Sequence, residues 1–244
     1  MAAKKGKSAR VAAGIPVADQ VEAVIAWLKK TGTKATRDGM ARYAIPSDNA
    51  FGVPMGVMQK KAKELGQNHD VAAGLWETGW YEARTMAAFV EVPDRVTPGQ
   101  MDRWCRDFDN WAICDTVCFH LFNRVEHSYG KVEKWARRRA EFERRAGFAL
   151  LACLALRDKS AGNEPFALWL PLIEEGATDE RNFVKKAVSW ALRSVGRRHP
   201  DLRTSSLALA QRLAASENPA ARWVGKDALK DLSRKPAAKG GAAG

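Results

Sequence analysis

Cysteine is scarce, with four residues in 244 and none at CxxC spacing. That excludes a disulfide-scaffolded secreted domain and points to a reducing compartment, the cytoplasm. No uninterrupted apolar run reaches about 18 residues, so no membrane-spanning helix is expected. The opening "MAAKKGKSAR" is basic but no apolar segment follows it, so no secretory signal is expected. The next stretch, "VAAGIPVADQ", has no arginine and does not suit a transit peptide. Gly-rich phosphate loops, HExxH and GxSxG are all missing. Histidine is limited to four residues, none with a clear partner for nucleophilic catalysis. Convincing period-2 strand patterns are also missing.

Positive charge and tryptophan are plentiful. The formal net charge is +12, which makes a polyanionic partner the natural expectation, nucleic acid ahead of an anionic membrane. Apolar residues make up 46% of the chain, enough for a sizeable core. Most of the nine Trp are expected to pack, with the remainder available as stacking surfaces for bases.

Hydrophobic periodicity is helical nearly throughout. In "VADQVEAVIAWLKK", Val21, Val24, Ile25 and Leu28 share a face. "PMGVMQKKAKELG" opens on Pro and closes on Gly, as helices do. Further helices are predicted over 69–78, 80–92, 98–108, 110–123, 130–156 (one helix or two), 163–175, 180–197, 201–215 and 218–233. Residues 1–12 and 234–244 read as loose basic tails flanking a single domain at 13–233.

The second half repeats itself. "FERRAGFALLA" from Phe142, "FVKKAVSWALR" from Phe183 and "WVGKDALKDLS" from Trp223 each run aromatic, charged turn, Ala/Leu-rich turn. The starts lie 41 and 40 residues apart, a spacing of HEAT or armadillo helical pairs. The expected fold is therefore all-α, a helical-repeat solenoid with an extended concave surface. An irregular helical bundle is the plainer alternative.

Two clusters invite a chemical reading. In "NWAICD", Trp111 and Asp115 are i,i+4 neighbours beside a core face of Ile113, Cys114, Val117 and Leu121. The wheel adds Cys118 and Phe122 to the Trp–Asp stripe. Structurally, an Asp near a helix start favours the dipole and a Trp pads a neighbour. In the 180–197 helix, Lys186, Trp190, Arg193 and Arg197 share a face. A Trp inside a basic stripe suits a phosphate backbone with a base nearby, and equally suits a solvated basic face. Cys105, Cys114, Cys118 and His120 lie close in sequence, but their helical directions diverge. They read as small core residues, not zinc ligands.

The chain resembles the AlkD family of DNA alkylation-repair glycosylases, which are built from HEAT-like repeats. The resemblance rests on "FGVPMGVMQKKAKELG" with "LWETGWYEARTMAAFV", on "DNWAICDTVC", and on "FERRAGFALL" with "NFVKKAVSWALR". It spans about residues 15–233. The resemblance implies a concave basic cleft that binds double-stranded DNA carrying alkylated bases. It also implies hydrolysis of the N-glycosidic bond of cationic N3- or N7-alkylated purines, with no metal or organic cofactor. Carried over by position, Asp115 is the catalytic carboxylate, and Trp111 and Trp190 flank the sugar and base. Arg145, or its neighbour Arg144, holds the DNA backbone. Ala112 and Ile113 follow Trp111, where the family often places a Trp and an Asp around the motif. Some branches bind DNA without base excision, so a non-catalytic binder of distorted or branched DNA is the alternative. The protein is expected to be a monomer.

Overall fold

Helix starts follow cap residues that the sequence supplies. Thr33, Asn68, Thr97, Asn110 and Asn218 each accept a hydrogen bond from a first-turn backbone N–H. Caps of this kind contribute about 1 kcal/mol each. Pro98, Pro200 and Pro219 take the first helical position, where their missing N–H costs nothing. The computed structural model describes residues 14–234. The loose-tail expectation for residues 1–12 and 234–244 therefore lies outside the described residues, apart from Arg234. Among the described residues the regular structure is entirely helical.

The chain divides at Ser128 into two compact units. The first contains α1 (Val17–Thr31), α2 (Lys34–Gly39), α3 (Met55–Leu65), α4 (His69–Glu77), α5 (Tyr81–Val90), α6 (Pro98–Arg106) and α7 (Trp111–His120). Helix α5 is central: α1, α3, α4 and α7 all pack on it. Trp76 and Trp104 stack face to face at 4.0 Å and are buried. The Trp76 indole N–H donates to Asp107 Oδ2 at 2.8 Å, so that its polar atom is paired on burial. Glu82, 1% exposed, accepts from the backbone N–H groups of Phe51, Gly52 and Val53. It thereby fixes the loop ahead of α3. Gly52 sits there at φ 82°, and a Cβ would lie 2.3 Å from the Thr33 carbonyl oxygen.

The second unit contains α8 (Tyr129–Ala136), α9 (Glu141–Arg157), α10 (Glu164–Leu168), α11 (Leu170–Gly176), α12 (Asn182–Arg198), α13 (Pro200–Ala214) and α14 (Pro219–Leu232). The pairs α8/α9, α11/α12 and α13/α14 are successive helical hairpins, and α12 lies against both α9 and α14. The three repeated segments fall on α9, α12 and α14, the second helix of each pair. The leading aromatics of the first two meet where those repeats touch, with the Phe142 and Phe183 rings 5.5 Å apart. Close approach within a pair requires glycine. A Cβ on Gly147 would stand 2.3 Å from Ala136 N, and one on Gly225 would stand 2.2 Å from Ala214 N.

The predicted 130–156 stretch is two helices, broken at residues 137–140. The 163–175 stretch is also two, because Pro171 has no N–H to continue the ladder past Trp169. The short α2 and the 3-10 turn at Met40–Tyr43 are additions to the predicted elements.

Candidate functional site

In the first unit the site is built on α7. Asn110 caps it, accepting from Ala112 N and Ile113 N at 3.0 Å each. The cap sets where the helix begins, and so which way Trp111 and Asp115 point. Ile113, Cys114, Val117 and Leu121 are at most 1% exposed, forming the expected core face. Trp111, Asp115 and Phe119 are half-buried, one turn apart on the opposite side. The stripe differs at its far end from the helical wheel, since Cys118 and Phe122 are fully buried. The α-helix ends at His120 and Leu121 turns to φ −124°, which throws Phe122 inward.

Trp111 is tethered. Its indole N–H donates to the Tyr43 carbonyl at 2.7 Å, across 68 residues of sequence. Tyr43 ends the 3-10 turn after α2 and is itself 66% exposed. Sequence reasoning did not find this residue, because a backbone acceptor leaves no side-chain signature. Asn110 carried a readable signal as a cap residue directly before an apolar run.

In the second unit, Lys186, Trp190, Arg193 and Arg197 do share one face of α12. Lys186 and Arg197 are exposed, and Trp190 and Arg193 are half-buried. The face is less cationic than its residue types suggest. Arg193 Nε stands 3.6 Å from Asp227 Oδ2, and Arg197 pairs with Asp231. Both carboxylates come from α14, four residues apart, and Ser189 Oγ also donates to Asp227 at 2.5 Å. Beside this face, Lys185 lies over the exposed Trp223 ring at 5.3 Å.

Arg144 and Arg145 of α9 are held inward. Arg145 is 5% exposed and donates to the Phe183 carbonyl of α12 at 2.5 Å. Arg144 Nε lies 3.3 Å from Asp179 Oδ2 with only 21% of its side chain exposed. As placed, both guanidinium groups brace the repeat rather than stand out in solvent. Burial alone would raise the Asp179 carboxyl. The Arg181 side-chain and backbone hydrogen bonds, with the Arg181 and Arg144 charges, outweigh it and hold the carboxyl below its usual range.

Cys105, Cys114, Cys118 and Cys153 are all buried, and His120 turns instead toward Phe89, edge-on at 4.8 Å. No group of three or more His, Cys, Asp or Glu among the described residues is placed to hold a metal ion. No described helix is long and apolar enough to cross a membrane.

A helical-repeat chain with a tethered Trp–Asp pair on one helix and a Trp-centred basic face on another belongs to a definable class. The family described as DNA alkylation repair enzyme matches residues 24–232, and the chain belongs to that family. Its fold is HEAT-like. A solved structure from a family described as related to the HEAT-like repeat DNA glycosylases, with affinity for branched DNA structures, superposes with a TM-score of 0.72. That relative is 20% identical, and the match covers 88% of this chain and 97% of the other. No curated protein sequence matches the chain significantly.

Proposed function

We propose that the protein is a DNA glycosylase that hydrolyses the N-glycosidic bond of cationic N3- and N7-alkylated purines in duplex DNA. The observation that carries the reading is the Trp111–Asp115 pair. It lies half-buried on a capped helix whose opposite face is core, with its indole oriented by the Tyr43 carbonyl, in a chain of the DNA alkylation repair family.

The chemistry asks for little machinery. An alkylated N3 or N7 makes the purine cationic, so the base is already a good leaving group. Its departure leaves an oxocarbenium-like sugar. Asp115 would face that charge, stabilise it and orient the attacking water. Two unit charges about 4 Å apart interact by roughly 4 kcal/mol at an effective dielectric of 20. Only the part gained in the transition state accelerates the reaction, and each ~1.4 kcal/mol is worth about tenfold. The Trp111 indole face would add cation–π attraction of about 0.5–2 kcal/mol. Lys186, with Arg193 and Arg197, would supply phosphate contacts, which makes binding salt-dependent. No cofactor is needed for this route.

The test is release of free 7-methylguanine and 3-methyladenine from methylated duplex DNA. Wild type should release them, and Asp115→Ala should release them about 100-fold or more slowly while still binding DNA, as loss of one preorganised electrostatic group does. No release by wild type, or equal release by the variant, overturns the reading. The second reading is a non-catalytic binder of branched DNA, favoured by the relative's described affinity and by the inward placement of Arg145. It predicts tight binding of a four-way junction, no base release, and no effect of Asp115→Asn.

A further inference from the structure

Helix α7 carries a second feature at its other end. A pocket of about 480 Å³ opens where α3, α5 and α7 come together. Gln59 and Lys63 of α3, Gln67 just beyond it, Phe89 of α5, His120 at the end of α7 and Arg124 in the following 3-10 turn line it. Its walls hold three basic side chains and two carboxamides, and no carboxylate. Lys63, Gln67 and Arg124 are exposed at its mouth, while Gln59 and His120 are half-buried. The His120 ring is fixed edge-on against Phe89 at 4.8 Å and against Phe119 at 5.1 Å. His120 is the last residue of α7.

From this geometry we infer that the pocket is a phosphate seat, and that its occupant is a backbone phosphodiester of bound DNA. The donor set is what a phosphate requires. An arginine and a lysine supply charge, amide N–H groups supply directional bonds, and no acid repels the ligand. His120 is nine residues beyond Trp111, and at about 100° per residue its side chain leaves α7 on the side away from Trp111 and Asp115. The seat is therefore separate from the proposed reacting site, and DNA is its occupant because the chain's family acts on DNA. A phosphodiester held there positions the duplex without touching the reacting nucleotide. This rests on the glycosylase reading only in so far as the protein binds DNA.

The test compares wild type with the double variant Lys63→Ala/Arg124→Ala. Both residues are exposed, so the fold tolerates their loss. A matched control, Lys29→Ala/Lys30→Ala, removes the same charge from the exposed end of α1. Affinity for an unmodified 20-base-pair duplex is measured by fluorescence anisotropy over a salt series. Base release is measured separately at saturating protein, and inorganic phosphate is titrated while the imidazole resonances of His120 are followed. The pocket variant should bind about 5- to 30-fold more weakly at 0.1 M salt, with a log–log salt slope shallower by about 1 than the control, as loss of one phosphate contact gives. Equal slopes for the pocket variant and the control overturn the proposal, even where release continues and the glycosylase reading stands. A shifted slope with no base release by wild type keeps the phosphate seat and removes the catalytic reading. A His120 response to inorganic phosphate with equal DNA slopes makes the pocket a small-anion site and overturns the DNA assignment. No DNA binding by wild type removes both.

Discussion

The Trp111 indole N–H is bonded to the main-chain carbonyl of Tyr43 at 2.7 Å. The bond ties the outward stripe of α7 to the turn that follows α2. An indole held this way presents one face in a fixed direction, which is what stacking or cation–π contact with a ligand needs. Trp111→Phe keeps an aromatic ring and removes the donor. Base release should fall about 3- to 30-fold, and DNA affinity should change less. The Tyr43 carbonyl, on an exposed residue, can turn to water, so global stability should move by under about 1 kcal/mol. Single-turnover release alongside a urea melt checks this. Full release by the phenylalanine variant would show that the tether does not orient a working ring.

Arg145 offers a sharper division between structural and DNA-contact roles. Its guanidinium is buried and donates across to the Phe183 carbonyl, joining α9 to α12. Arg145→Ala leaves that carbonyl without its partner and opens space between two repeats. A loss of about 2–4 kcal/mol of stability is expected. If Arg145 acted chiefly on the DNA backbone, the melt would be unchanged and the salt slope would fall by about 1. Chemical denaturation and the salt series together separate the two.

Much of this architecture was legible in the sequence, and the illegible parts share a cause. The helical periodicity and the forty-residue repeat are local signals, and the helices they predict are present. The stripe of Trp111 and Asp115 follows from a period of 3.6. Arg145 was harder, because α9 is buried continuously from Arg145 to Ala155. A helix apolar all round has no polar face against which to judge which way an arginine turns. The α12 face read as strongly basic because charges were counted along one helix. Asp227 and Asp231 reach it from α14, through the packing of repeats. Tyr43 contributes only a carbonyl, which every residue has.

Glu82 is a buried carboxylate in the first unit's core. Its Oε1 accepts from Gly52 N at 2.7 Å and Val53 N at 3.2 Å, and its Oε2 accepts from Phe51 N at 2.9 Å. Glu82→Gln preserves shape but offers one carbonyl oxygen. The amide nitrogen must then face a backbone N–H, donor against donor. The expected loss is about 1–3 kcal/mol, read as a lower denaturation midpoint with an unchanged slope. The loop from Phe51 to Val53 should also exchange its amide protons faster. An unaltered midpoint would mean that the loop is held by its packing and not by the carboxylate.

Asp158 gives the second unit a dependence on acid. Its Oδ1 accepts from the Ser160 hydroxyl and from the backbone N–H groups of Ser160 and Ala161, and its Oδ2 accepts from the Tyr129 hydroxyl at 2.7 Å. The Ser160 side chain is the largest influence. Partial burial opposes it, and the Tyr129 and backbone hydrogen bonds reinforce it, so the carboxyl is brought down to about 2. An unfolded Asp titrates near 3.9. The folded state thus holds its proton less tightly than the unfolded state. The stabilisation is fully present above about pH 5 and is lost as pH falls from about 4 through about 2. Asp158→Asn removes this titration. Wild type should therefore exceed the variant in melting temperature by a constant margin from pH 5 to 7. That margin should shrink steadily between pH 4 and 2, while Trp169, stacked on Tyr129 at 5.5 Å, reports the opening by fluorescence. A margin that stays constant or widens in acid would mean that Asp158 is not the group that titrates.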